Sequence, residues 1–242
     1  MTNRPKIRYA TWADLPQLSK SLAQAFYDDE LFGDFIHPHR AQHPKDMELY
    51  WLRRLRVNYC DPRWRILAAI DQDADGKELV VGCAQWTRMG KGGSKLDRWW
   101  FDPRNLLQPL VAVAMRVHRL IWPGRAVDPQ NEDILERAHP YFEHMYDGER
   151  AENWSLEWLG VDPDHQGKSL GRELVRWGLD RADEDEGDVW TVVIAAKGKD
   201  RFYQNCGFGF IEGSGTMGEG NPLANMEGAN MHWRRPVDRK SV

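Results

Sequence analysis

The stretch "LEWLGVDPDHQGKSLGRELVRWGLDRA", from Leu156 to Ala182, decides the fold prediction. It begins with an apolar segment that ends before Pro163, which is typical of a strand. It continues through a turn that contains Gly167 and ends in a run with apolar residues at helical spacing. A strand that leads through a short turn directly into a helix is a unit of α/β proteins.

The start of this predicted helix has the properties of a phosphate-binding site. The first amides of a helix have no partner within the helix, and the helix dipole adds positive potential. Gly167 and Gly171 allow a ligand to approach the backbone, and Lys168 adds a cation. The "GKS" at 167–169 also resembles the end of the triphosphate loop GxxxxGK[ST]. That loop needs a glycine at position 162, where this chain has Asp162, so a diphosphate of another ligand is favoured over ATP.

The segments on both sides of this unit alternate between strand and helix patterns. Those before it are a strand, two helices and a hairpin: "KIRYAT", "ADLPQLSKSLAQAF", "KDMELYWLRRLRVNY", "WRILAAIDQ" and "ELVVGCAQWTR". Those after it are a strand, a short helix that Gly207 closes, and two strands: "VWTVVIAA", "KDRFYQNCG", "FGFIEGS" and "ANMHWRR". We therefore predict an α/β fold in one domain that spans residues 1–242.

Residues 89–150 interrupt this alternation. The segment "GKGGSK" predicts a flexible loop, and "NLLQPLVAVAMRVHRLIW" predicts a helix in which Pro109 causes a kink or a later start. A second helix is predicted over "ILERAHPYFEHMY". Together with Trp99 and Trp100, this helical insertion is either a lid over the core or a homodimer interface, and the sequence leaves both open.

Composition narrows the class of protein further. The 242 residues carry a net charge of -4 with both signs interspersed, which argues against a nucleic-acid partner. The sequence contains no run of about 18 apolar residues, so no membrane span is predicted, and the N-terminus has no secretory pattern. The three cysteines are far apart and lack metal-ligand spacing, which is typical of a cytoplasmic protein. "HPHRAQHP", with His37, His39 and His43, has no matching pair elsewhere, so no metal is expected.

The same stretch resembles the acetyl-CoA signature of the GNAT superfamily of N-acetyltransferases. That signature, [RQ]-x-x-G-x-[GA] between a strand and a helix, falls on Gln166-Gly167-Lys168-Ser169-Leu170-Gly171. About forty residues later, "RFYQNCGFGF" resembles the Y-x-x-x-G-F element of the family, from Tyr203 to Phe208. The resemblance covers about residues 154–210 and departs from the pattern at Ser169, which replaces the middle glycine. It implies the GNAT acyl-CoA N-acyltransferase fold, with a mixed, mostly antiparallel central sheet flanked by helices.

The resemblance also implies roles for individual residues. The diphosphate of acetyl-CoA would bind the amides of Gly167 to Gly171, and the pantetheine arm would bind the backbone of the preceding strand at Leu159, Gly160 and Val161. Tyr203 is the candidate general acid for the leaving thiolate. The candidate general base is Glu157, which strand alternation places on the same face as Leu159. The loop after the first helix borders the acceptor site in this family. It contains further candidates for binding the substrate: Asp28, Asp29, Glu30, His37 and His39. The last strand contains one more candidate, His232.

Three functions fit this pattern. The first is transfer of acetyl from acetyl-CoA to a primary amine of a small molecule, by direct attack in a ternary complex. The second is a non-catalytic acyl-CoA sensor on the same fold, which the unusual Ser169 favours. The third is a protein N-acetyltransferase, which predicts an open acceptor groove rather than a closed one.

Overall fold

A seven-stranded sheet forms the centre of the chain, in the strand order β1-β2-β3-β4-β5-β7-β6. The structure is a computed structural model that describes residues 6–73, 75–97, 104–185 and 187–237. The predicted aromatic residues Trp99 and Trp100 lie outside the described residues. The strands are β1 (Lys6–Tyr9), β2 (Trp64–Gln72), β3 (Glu78–Arg88), β4 (Asn153–Val161), β5 (Trp190–Ala195), β6 (Phe210–Ser214) and β7 (Asn230–Arg234).

All neighbouring strands in this sheet are antiparallel except β4 and β5, which are parallel. The parallel ladder is short and pairs Asn153–Leu156 with Trp190–Val193. Beyond Leu156, β4 continues to pair with β3 but not with β5. The sheet is therefore mixed and mostly antiparallel, as predicted, and it opens between its two parallel strands.

Helices cover both faces of the sheet. They are α1 (Leu15–Ala25), α2 (Pro44–Tyr59), α3 (Gly90–Asp97), α4 (Arg104–Ile121), α5 (Ile134–Ala138), α6 (Leu170–Glu184) and α7 (Asp200–Cys206). One apolar cluster contains Leu18, Leu22 and Trp51 and lies between the sheet and α1–α2. The other contains Leu174, Leu179 and Trp86 and lies between the sheet and α6. Alternating strand residues face these two layers, which is how a central sheet buries both of its faces. None of the described helices is long and apolar enough to cross a membrane.

Helix α6 packs closely on the sheet because it has a glycine where the two meet. A β-carbon on Gly178 would lie 2.2 Å from Cε2 of Trp86. The indole of Trp86 is buried and donates a hydrogen bond to the Leu174 carbonyl at 3.2 Å. This contact fixes the distance of α6 from β3, and thereby the position of the turn at the start of α6.

The insertion differs from its prediction in three places. The segment predicted as a flexible loop forms α3, because Glu152 accepts hydrogen bonds from the Lys91 and Gly92 amides at the start of that helix. Helix α4 begins at Arg104 and runs past Pro109, so the predicted later start is wrong. The second predicted helix is limited to α5, which is followed by single 3₁₀ turns up to Ala151.

The loop predicted between α1 and α2 also contains regular structure. Residues Glu30–Ile36 form a π-helix, a rare element that is often found at functional sites. The carboxylate of Asp29 caps it by accepting hydrogen bonds from the Leu31 and Phe32 amides at 3.0 and 2.9 Å. The sequence offers no periodic signal for this element, because a single π-turn has no repeat.

Candidate functional site

The turn between β4 and α6 presents a set of unpaired backbone amides. Gly167 has a φ of +77° and Ser169 a φ of +64°, and α6 begins at the next residue, Leu170. Within the part of the chain that the structure describes, no group accepts a hydrogen bond from the amides of residues 167–171. An open helix N-terminus of this kind binds anions through N–H groups and the helix dipole.

Ser169 adopts the left-handed conformation that favours glycine, at the position where the family pattern has glycine. Its side chain makes no capping hydrogen bond. The substitution thus keeps the backbone shape of the turn at a cost of about 1–2 kcal/mol in local conformational energy. The turn is formed despite the serine because the flanking strand and helix fix its two ends.

The side chains around this turn differ in part from the prediction. Lys168 does not present a free cation, because its ammonium donates to the Asp71 carboxylate at 2.7 Å. His165 contacts the same carboxylate at 2.8 Å, and the hydrogen bond from Lys168, with that from His165, holds the pKa of Asp71 well below its ordinary value. The side-chain amide of Gln166 donates a hydrogen bond to the Val161 carbonyl at 3.0 Å, which connects the turn to the end of β4. Four arginine and lysine residues line the adjoining cavity, and none of them was predicted from the sequence: Arg54, Arg172, Lys197 and Lys199. Arg54 pairs with Glu136 and Lys197 with Glu227.

A cavity of about 1000 Å³ connects this turn to the opening between β4 and β5. Residues 155–161 of β4 and 193–195 of β5 line its centre. Leu159, Gly160 and Val161 pair with β3 on one side and face the gap on the other, so their backbone groups on that side have no strand partner. Gly160 has a second role, because a β-carbon there would lie 3.0 Å from Ala25 and Leu22 of α1.

Tyr203 lines the cavity from α7. Its ring is buried against Phe202, Phe208 and His232, with centroid distances of 5.1, 5.8 and 5.9 Å. Burial raises the pKa of Tyr203 above its ordinary value. The phenol is therefore protonated at neutral pH and can donate a proton to a departing anion.

Glu157 lines the same cavity and occupies a β-bulge in β4. Trp158 pairs with Gln85 and Leu156 with Trp86, which leaves Glu157 without a ladder partner on β3. Because the bulge interrupts strand alternation, the predicted shared face with Leu159 is wrong. Leu156 and Leu159 both pack on the α6 side, whereas Glu157 accepts a hydrogen bond from Ser155 and lies near Tyr146, which packs on the α1 side. Desolvation raises the pKa of Glu157, and a hydrogen bond from Ser155 only partly opposes it. A carboxylate with a raised pKa, facing a cavity, is suited to accept a proton.

Aromatic side chains form another wall of the cavity. Phe26, Phe32 and Trp158 line it, and Trp51 packs behind them with centroid distances of 4.9–5.4 Å to all three. From the insertion, Leu135, Phe142 and Tyr146 add a second apolar surface, while Glu136, His139 and Glu143 add polar groups. The segment 135–146 is therefore a wall of the cavity.

The remaining candidate residues separate into two groups. Asp29 and Glu30 line the cavity, but His37 does not: it is buried, with Nδ1 2.6 Å from the Phe32 carbonyl. Asp28 and His39 are exposed and are not among the lining residues.

His232 is fully buried behind Tyr203, and its Nε2 lies 2.8 Å from Asp200. Among the described residues, no group of three or more His, Cys, Asp or Glu side chains could hold a metal ion.

Comparisons with known proteins agree with this geometry. Residues 138–209, which include the amide turn and Tyr203, match a family model described as an acetyltransferase (GNAT) domain. A solved structure described as histone acetyltransferase HPA2 and related acetyltransferase, from Corynebacterium glutamicum, is 19% identical, covers 98% of each chain and has a TM-score of 0.59. A mutant of an agmatine N-acetyltransferase is 12% identical over 96% of this chain and 100% of that chain, with a TM-score of 0.50. At these identities the structural likeness establishes the fold alone.

Proposed function

Since residues 138–209 match a GNAT acetyltransferase domain, we propose that this chain is an acyltransferase that transfers the acetyl group of acetyl-CoA to a primary amine of a small molecule. The observation that carries the proposal is the single cavity that joins the unpaired amides at residues 167–171 to Tyr203 and Glu157. It offers in one space an anion site, a proton donor and a proton acceptor. We place these groups in a single domain that spans residues 1–242, with an insertion at about 89–150.

In this proposal the chain's own groups bind and orient acetyl-CoA. The amides of Gly167 to Gly171 donate to the diphosphate oxygens, and Arg172 and Lys199 add positive charge at that end of the cavity. The free edge of β4 at Leu159, Gly160 and Val161 holds the pantetheine arm by backbone hydrogen bonds. This arrangement leads the thioester into the gap between β4 and β5, towards the side chains of Glu157 and Tyr203.

Acetyl transfer then needs three proton movements. Glu157 accepts a proton from the ammonium form of the acceptor, directly or through water, and the neutral amine attacks the thioester carbonyl and forms the C–N bond. When the C–S bond breaks, Tyr203 donates its proton to the departing thiolate, and the second proton of the attacking nitrogen passes to the tyrosinate to leave a neutral amide. The raised pKa of Glu157 makes it a stronger base, and the raised pKa of Tyr203 keeps the phenol in its protonated form.

The shape of the acceptor end supports a small molecule rather than a protein tail. The aromatic wall of Phe26, Phe32 and Trp158 and the insertion segment 135–146 line the same cavity. A small amine with an apolar or aromatic part fits such walls, and its ammonium would face Glu30 and Glu157. The agmatine N-acetyltransferase that shares the fold is described as acting on a small amine, which favours the same class of acceptor.

The test is titration calorimetry with acetyl-CoA, followed by a thiol-release assay across a panel of small amines. Gly171→Glu should abolish acetyl-CoA binding, because it places bulk and negative charge beside the diphosphate. Gly209→Glu is the matched control, since Gly209 is exposed, lies outside the cavity and has open space around its β-carbon. Retained binding by the Gly171 variant, or loss in the control, would contradict the proposed site.

Tyr203→Phe separates catalysis from binding. It should lower turnover by about 100-fold and leave acetyl-CoA affinity nearly unchanged. Equal losses in turnover and affinity would contradict a role as proton donor. Binding of acetyl-CoA without turnover on any amine, and without an effect of Tyr203→Phe, would support the acyl-CoA sensor instead.

A further inference from the structure

Helix α4 has its apolar residues on the wrong side for an ordinary surface helix. Leu106, Leu110, Val113, Val117 and Leu120 form a continuous stripe that faces solvent, which we call the outer stripe. Leu106, Leu110 and Leu120 are 74%, 66% and 79% exposed, and the structure records no buried residue anywhere in α4. A surface helix normally turns such a stripe towards the core.

The inner face of α4 is polar where it meets α2. Arg53 of α2 donates to Nδ1 of His118 at 3.1 Å and to the Trp122 carbonyl. The neighbouring Arg119 forms an ion pair with Glu132 at 3.1 Å. Val111, Ala112 and Met115 are partly buried on the same inner face. These residues and the polar contacts together hold the outer stripe away from the core. An amphipathic helix normally buries its apolar side against the core, whereas α4 exposes it to solvent. We therefore expect an apolar partner to cover the outer stripe.

The spacing of the outer stripe fits packing against another helix. Its residues recur at intervals of four and three, from 106 to 110, 113, 117 and 120. This is the heptad spacing of a helix that inserts its side chains between those of a second helix. An interfacial membrane helix would instead keep a charged face free towards water, whereas the polar face of α4 is occupied by Arg53 and Glu132.

The area of the patch is what one partner of a dimer supplies. Leu107, Ile121 and Trp122 are also exposed and extend the outer stripe on one flank and at its end. Together these eight side chains expose on the order of 800 Å², about the contribution of one chain to a standard interface. The largest apolar patch of a typical monomer is smaller, roughly 300–600 Å². From the spacing, the area and the polar attachment, we propose that the outer stripe of α4 packs against the same stripe of a second copy of this chain.

A two-fold symmetric contact explains why the patch carries no charge of its own. In such a contact the same surface meets itself, so an apolar stripe is self-complementary and a charged one is not. Between Arg104 and Trp122 the sequence has no Asp or Glu. An arginine in the stripe would therefore face the like charge of the second copy, and no carboxylate of this segment could pair with it. They lie instead outside it, at Arg104, Arg116 and Arg119. The inference does not depend on the proposed acetyl transfer, since α4 contributes no residue to the cavity.

The test is sedimentation velocity of the whole chain from about 1 to about 100 µM. Wild type should sediment as a dimer, and the double variant Leu110→Lys/Val113→Lys should raise the dissociation constant by at least about 100-fold, because it buries four ammonium groups at the contact. Ile211→Lys is the matched control, since Ile211 is exposed on β6 and outside both the stripe and the cavity. Its dimer should be unchanged.

Circular dichroism and acetyl-CoA titration of the same proteins show whether the variants are folded. A folded double variant that is monomeric supports the proposal. A wild type that stays monomeric at every concentration overturns it, as does a double variant that dimerises like wild type. Sedimentation with vesicles of anionic lipid is the last arm: a monomeric wild type that binds them through residues 110 and 113 would also overturn the proposal and identify a membrane surface as the occupant.

Discussion

Replacing Ser169 by glycine should stabilise the protein although it removes a side chain. Ser169 has a φ of +64° and its hydroxyl makes no capping hydrogen bond, so nothing favourable is lost. Relief of the left-handed conformation gains about 1–2 kcal/mol, and the extra freedom of glycine in the unfolded chain costs about 0.5–1 kcal/mol. At the middle of both ranges the net gain is about 0.75 kcal/mol, which raises Tm by roughly 2–3 °C in a chain of this length.

Urea denaturation and a thermal scan measure this gain. Ser169→Ala is the matched control, because it removes the hydroxyl but keeps the β-carbon that causes the strain. It should change stability by less than about 0.5 kcal/mol. The glycine variant should also bind acetyl-CoA at least as tightly as wild type, because the β-carbon no longer stands beside the diphosphate. Equal stability of the glycine and alanine variants, or a loss in the glycine variant, would refute the strain at Ser169.

Three further predictions concern the packing and chemistry of the site. Gly178→Ala should lower stability by about 1–3 kcal/mol in urea denaturation, because its β-carbon would lie 2.2 Å from the Trp86 ring, and an unchanged midpoint would count against close packing of α6. Glu157→Gln should lower kcat/KM by about 100-fold and remove the acidic limb of its pH profile, which in wild type falls as pH drops through the raised pKa of Glu157; a limb that persists in the variant would exclude this base. Lys168→Met should leave acetyl-CoA affinity within about threefold by calorimetry, because Asp71 already pairs with the ammonium, and a larger loss would show that Lys168 binds the diphosphate.

Much of the architecture could be predicted because its signals are local. The helix that starts at Leu170 shows apolar residues at helical spacing, and Gly207 ends α7 in the left-handed conformation that favours glycine. The parallel pairing of β4 with β5 follows from the helix between them. These features depend on residues close together in the chain, so the sequence pattern contains them.

Other features depend on contacts between distant residues, and the pattern does not contain them. The bulge at Glu157 is defined by its register with β3, so strand alternation alone placed this side chain wrongly. The pairing of Lys168 with Asp71 joins a turn to a strand about a hundred residues earlier, and nothing in either segment signals it. The same holds for α3, whose glycine-rich start is capped by Glu152, a residue that follows the insertion and precedes β4.

Some candidate site residues could likewise be predicted from local motif spacing, and others could not. Motif spacing pointed to Gly167, Gly171 and Tyr203, and all three line one cavity. It could not separate Glu30, which faces the cavity, from His37, which is buried and turned to the Phe32 carbonyl. Arg172 and Lys199 were missed because a single cation near a helix start is common on protein surfaces, and only the cavity distinguishes these two.

Amide hydrogen exchange with two ligands tests the central claim most directly, that backbone amides at the start of α6 hold the diphosphate of acetyl-CoA. Acetyl-CoA should slow exchange at residues 167–171, which donate to no other group among the described residues. Acetyl-pantetheine, which carries the thioester but no diphosphate, should leave exchange at these residues unchanged. Equal protection by both ligands, or protection by neither, would contradict the account.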